Sequence, residues 1–125
     1  MPSEFAAVFS ALKSCLMPYA ASLSVATDTP QEYALVTRSA SPFPQHKGHP
    51  LAFASVRRGK AYVSFHMMPV YMSPALAKSV PAALKKRMQG KSCFNFKTVP
   101  PPEVMADLAR LTQASLEEWR DKKWL

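Results

Sequence analysis

A chain of 125 residues with 48% hydrophobic content is long enough for one domain with one core, and its two cysteines, Cys15 and Cys93, are too few for a disulfide framework. No uninterrupted apolar run approaches the roughly 18 residues of a membrane span, and Glu4 stands where a secretory leader would carry bases. These features argue against membrane-spanning and secreted classes and lead to the expectation of a single cytoplasmic domain over residues 1–125.

The net charge of +8 is unevenly laid out. Residues 33–102 hold eleven basic side chains and no carboxylate, whereas the segments on either side are slightly acidic. Such a field attracts anions. Nucleic acid, phosphorylated metabolites and acidic proteins all qualify, and solubility alone is the competing explanation.

In chain order, residues 3–17 predict a helix. Phe5, Val8, Phe9, Leu12 and Leu16 form one apolar stripe, Ser3 is the expected N-cap, and Pro18 ends the element. Cys15 borders the stripe and reads as a packed thiol. The period then changes to two. Ala21, Leu23 and Val25 predict a strand, Asp28 to Gln31 a turn, and residues 33–37 its hairpin partner. Residues 38–50 hold three prolines and Gly48 and read as a long loop, a class often functional. His46 and His49 lie there without the further ligands a metal site needs.

A third strand is predicted at 51–57, with Leu51, Phe53 and Ser55 on one face and Ala52, Ala54 and Val56 on the other. Gly59 is expected to turn the chain with a positive φ. The fourth strand, 60–67, puts Val63, Phe65 and Met67 in the core and Tyr62, Ser64, His66 and Met68 on a half-wet face. Pro69 ends it amid Met67, Met68 and Met72. Ser73-Pro74 opens a short helical turn at 74–78. A basic helix is expected at 80–89, with Val80, Leu84 and Met88 inward and Gly90 as its C-terminal cap. Residues 91–97 predict a fifth strand with Phe94 and Phe96 inward. After the proline run ending at Pro102, a last helix carries Met105, Leu108, Leu111, Leu116 and Trp119, and Trp124 is expected to fold back on the body or on a second subunit.

Tyr62-Val-Ser, Pro69-Val-Tyr71, Ser73-Pro74 and above all the run from Leu84 through Lys-Lys-Arg-Met-Gln-Gly-Lys-Ser-Cys-Phe-Asn to Phe96 resemble the YdhG-like family of domains of unknown function, over about a third of the chain. Gly90-Lys91-Ser92 is not a phosphate-binding loop, because it follows a helix and opens a strand, and Lys85 stands where the first glycine would be. The resemblance implies a two-layer α+β domain with an antiparallel sheet. Taken with the residue patterns, the expectation is a sheet of about five strands packed against helices, in the order α-β-β-β-β-α-β-α. Some YdhG-like proteins are described as frataxin-like iron carriers. That role needs an acidic face, which the carboxylate-free middle of this chain opposes. Relatives of similar shape have been predicted to bind DNA, which suits the charge better.

The functional expectation is a non-enzymatic binding module for an anionic partner, nucleic acid or a phosphorylated small molecule. Its contacts would be Arg57, Arg58 and Lys60 at the hairpin and Lys85, Lys86, Arg87 and Lys91 around the basic helix. No catalytic residue, metal or cofactor is assigned. The alternative is a small enzyme or metabolite-binding protein with Tyr62, Ser64, His66 and Cys93 lining a pocket. The strand face bearing Ala52, Ala54, Val56 and Tyr62 could instead join two copies of the chain.

Overall fold

The computed structural model describes residues 2–40, 44–90 and 93–124, the side chains of residues 2–4, 46 and 89 excepted. Helix α1 (Pro2–Leu16) is followed by a 3₁₀ segment, Met17–Ser22, then strands β1 (Ser24–Asp28), β2 (Glu32–Ala40), β3 (Pro50–Arg58) and β4 (Val63–Met67). Three short helices come next: α2 (Met68–Met72), α3 (Pro74–Ser79) and α4 (Ala82–Lys85). Strands β5 (Met88–Gln89) and β6 (Cys93–Phe96) and the long helix α5 (Pro102–Asp121) complete the chain. The strands form one antiparallel sheet in the order β1-β2-β3-β4-β6-β5, so the α+β arrangement has one more, very short, edge strand than the sequence suggests.

Helices and sheet meet in a single core. Val8, Phe9, Leu12 and Leu16 of α1 are buried as one stripe, and α1 packs across β3 and β4 and against α5. Each such side chain contributes roughly 1.5–3 kcal/mol on burial. The window Phe5–Ser22 has a mean hydropathy of 1.2 over 18 residues, which meets the length and composition of a membrane span although Ser10, Lys13 and Ser14 interrupt its apolar run. In the fold its apolar stripe faces the sheet. Cys15 packs against the core, and burial pushes its thiol pKa up, away from reactivity.

In α5 the core stripe includes two hydroxyls the apolar pattern passes over. Thr112 and Ser115 are buried and donate to the carbonyls of Leu108 and Leu111, each at 2.7 Å, so neither is orphaned. Trp119 is fully buried and meets Phe53 edge-on at 5.4 Å. Trp124 folds back on the body: its N–H donates to the Trp119 carbonyl at 2.9 Å and its ring packs edge-on against Trp119 at 5.7 Å.

Several local expectations are corrected by pairing. Residues 17–22 coil as a 3₁₀ segment because Pro18 tolerates a tight turn but no strand ladder. Strand β1 therefore starts at Ser24, and Val25, on this edge strand, is 45% exposed. In β3, Leu35 pairs with Ala54 but Val36 with Ala52, which leaves Phe53 as an extra residue in the ladder. The bulge resets the alternation, so Leu51 and Phe53 face the core together with Ala54 and Val56, not with Ser55. The dimer face imagined from Ala52, Ala54, Val56 and Tyr62 is thus not one surface, since Ala54 and Val56 are in the core.

Gly59 does not take a positive φ. Its N–H donates to the Tyr62 carbonyl at 2.8 Å, and a Cβ there would stand 3.0 Å from that oxygen, so close approach is what requires glycine. The expected helix at 80–89 stops at Lys85, and its last residues extend instead. The Asn95 N–H donates to the Arg87 carbonyl at 2.9 Å, and Met88 pairs with Phe94. Val80, Leu84 and Met88 still pack inward. Gly90 does sit at positive φ, +74, but in the turn of this β5–β6 hairpin and not as a helix cap. Pro69 ends β4 as expected and starts α2, and Ser73 caps α3 by accepting from the Leu76 N–H at 3.3 Å.

Candidate binding surface

The core-facing residues of β2, β4 and β6 are Tyr33, Leu35, Thr37, Val63, Phe65, Met67, Phe94 and Phe96, all buried. The alternate residues make the outer face of the sheet. Register places them in two rows. Ala34, Ser55, His66 and Cys93 stand side by side in one, and Glu32, Arg57, Ser64 and Asn95 in the next. Ser64 Oγ donates to Asn95 Oδ1 at 2.9 Å across the β4–β6 pair. Tyr62 continues the same face just before β4 begins, and it is half-buried.

Ser64, His66 and Cys93 are thereby brought onto adjacent strands, with His66 directly opposite Cys93. Both are half-buried, and desolvation lowers the His66 pKa from its ordinary 6.5, so the imidazole is neutral at pH 7. A neutral imidazole offers one donor and one acceptor to a bound group. Among the described residues, no three of His, Cys, Asp and Glu gather as a metal site.

The basic side chains divide. Arg57 is exposed on the outer face, while Arg58, two residues after the buried Val56, points to the helical side at the strand end. Lys60 is exposed in the turn. Lys85 and Lys86 are exposed at the C-terminal end of α4. Arg87 is tied down: its Nη1 donates to the Ala83 carbonyl at 3.3 Å and its guanidinium lies 5.4 Å from the centre of the Phe96 ring. Lys91 lies outside the described residues. Of the remaining bases, Arg38 is also structural, donating to the carbonyls of Ala21 and Leu23 and so tying β2 to the 3₁₀ segment. The described ion pairs, Lys13–Asp28, Arg110–Asp107 and Lys122–Glu118, all lie outside the basic middle segment.

A sizeable cavity lies elsewhere. A groove of about 550 Å³ runs between α2 and the loop 44–50, which contains a 3₁₀ turn at Pro44–His46 and ends in the first residue of β3; the expected loop at 38–50 is shorter, because β2 continues to Ala40. Leu51, Ala52, Met68, Tyr71 and Met72 form its apolar side, and Gln45, Lys47 and His49 its polar rim. Tyr71 is 59% exposed. The sequence marks the long loop and the methionine cluster separately, but nothing in it shows that the two enclose one groove. Contact between them follows from β3 and β4 being paired, so that the start of one lies beside the end of the other. No family model, curated protein or solved structure matches the chain.

Proposed function

We propose that the protein is a non-enzymatic binding module for an anionic partner, a YdhG-like domain by its residue pattern, and that the partner is an extended polyanion such as nucleic acid. The spacing of the bases carries this reading. Arg57 and the backbone of Arg87, which directly follows Lys85 and Lys86, stand on opposite sides of the β4–β6 pair, with Ser64 and Asn95 between. With strands roughly 4.8 Å apart, the row from Arg57 to the backbone of Arg87 spans about 14 Å. A single phosphate needs donors converging within hydrogen-bond reach. Cations this far apart suit separate, non-adjacent phosphates along a chain instead. Tyr62 offers a ring for base stacking on the same face. Glu32, next to Arg57, closes the row on the β2 side, so the strand would run toward β6.

The test is fluorescence anisotropy of a labelled single-stranded oligonucleotide at 50 and 200 mM salt. Four phosphate contacts by Arg57, Lys60, Lys85 and Lys86 correspond to a loss of about fiftyfold in affinity over that range. Changing all four to alanine should remove both the affinity and the salt slope. Absence of binding at 50 mM salt would sink the proposal, and binding of a phosphorylated metabolite without the oligonucleotide would narrow it to the smaller ligand.

A second reading rests on the pairing of His66 with Cys93. An imidazole opposite a thiol can act as a base for a nucleophile. Alkylation of Cys93 by iodoacetamide separates the two readings. Reaction at pH 6 that disappears in His66→Asn supports the catalytic pair, and reaction only above pH 8 removes it.

A further inference from the structure

We propose that the groove between the loop 44–50 and α2 binds a small amphipathic monoanion, a carboxylate carried on an apolar body, independently of the outer sheet face. Its volume of about 550 Å³ falls within the roughly 300–1,000 Å³ of small-molecule sites. The two sides differ in chemistry. Leu51, Ala52 and Met72 offer no hydrogen bond from their side chains, and Met68 and Met72 are unbranched thioethers able to fit chains or rings of varied outline. Gln45, Lys47 and His49 are all exposed and all on the loop side. A ligand that satisfies both sides has its polar atoms at one end only.

The charge on that rim selects the head group. Among the described residues, Lys47 is the single side chain of fixed charge lining the groove, and no carboxylate lines it. One fixed cation beside the hydrogen-bonding side chains of Gln45 and His49 matches a monoanion. A phosphate monoester, with charge near −2, would need a second fixed cation, which the described lining lacks. Lys47 also holds a backbone conformation unusual for a side-chain-bearing residue, φ +52, followed by Gly48 at φ +83. Its N–H closes the turn by donating to the Pro44 carbonyl at 3.1 Å. The left-handed turn is unfavourable for a side-chain-bearing residue, and it sets Lys47 at the edge of the cavity.

The experiment uses the full chain with ¹³C-methyl methionine, titrated with sodium decanoate and with decan-1-ol, each below its aggregation limit. Decanoate should shift the Met68 and Met72 methyl signals saturably and bind about tenfold tighter than the alcohol, the worth of one charge-assisted hydrogen bond. Lys47→Gln should bring decanoate close to decanol and leave decanol unchanged. Ala52→Leu, an exposed position on the groove floor, should weaken both. Equal affinity for acid and alcohol in the natural chain would overturn the proposal. So would the absence of saturable shifts, or saturation at Met17 or Met105, which lie outside the groove. Because the oligonucleotide assay reads other residues, either proposal can fail without the other.

Discussion

Replacing Thr37 by valine keeps the shape of the side chain and removes one hydroxyl, and the structure makes that hydroxyl a splice. Pairing between β2 and β3 jumps from Val36–Ala52 to Ala40–Pro50, so the intervening backbone groups lack ladder partners. Thr37, fully buried, fills the gap: its Oγ1 accepts from the Leu51 N–H at 2.9 Å and donates to the Ser39 carbonyl at 2.7 Å. In Thr37→Val the Ser39 carbonyl, on an exposed residue, can turn to water. The buried Leu51 N–H cannot. An unsatisfied buried donor costs about 1–3 kcal/mol, and the central figure of about 2 translates into a melting temperature lower by roughly 6–8 °C for a domain of this size. Urea denaturation measures the loss, and hydrogen exchange at Leu51 locates it. Thr37→Ser keeps the hydroxyl and gives up only a methyl, so it should cost less, about 1 kcal/mol. A serine variant less stable than the valine variant, or a valine variant within 0.5 kcal/mol of the parent with Leu51 still protected, would refute the reasoning. Thr37 would then be a packing residue.

Phe53→Ala removes the ring that meets Trp119 at the bulge and should destabilise by about 3–5 kcal/mol in the same urea assay, with the indole emission shifting as Trp119 loses its cover. At Gly90, whose φ is +74 with open space around it, alanine should cost about 1 kcal/mol and asparagine less, because backbone conformation is the only obstacle there. Gly59→Ala should also destabilise, for a different reason: the new methyl would press on the Tyr62 carbonyl, so asparagine should be no better than alanine at that site. Partial burial, which favours the neutral form of His66, makes stability pH-dependent. Its folded pKa lies below the unfolded 6.5, so the unfolded chain binds the extra proton first. Stability is fully present above about pH 6.5 and falls as pH drops through the folded value. Thermal melts between pH 7.5 and 5 should show this slope diminished in His66→Phe, and an unchanged slope would assign it to other groups.

Much of the fold was legible because its periods are local. The alternation of Val63, Phe65 and Met67 with Ser64 and His66, and of Phe94 and Phe96 with Cys93 and Asn95, is set by strand geometry wherever a strand lies, and it put Ser64, His66 and Cys93 on a common face before any pairing was known. The stripes of α1 and α5 follow from 3.6 residues per turn in the same way. Alternation also implies that Arg57 and Arg58 point to opposite faces.

The sequence by itself determined the class, the two faces of the central strands, the helical stripes and the absence of carboxylates from the middle segment. The tertiary structure decided the rest, and each case has one cause: a partner distant in sequence. The ladder with β2 makes Phe53 a bulge and turns Ala54 and Val56 inward. Pairing with β6 draws Met88 and Gln89 out of the helix their neighbours favour. The seating of Arg87 on Phe96 removes a base from the exposed set, and the meeting of the loop 44–50 with α2 creates a groove from segments more than twenty residues apart in places. Local propensity is a difference of about 1 kcal/mol or less per residue, and burial against such partners outweighs it.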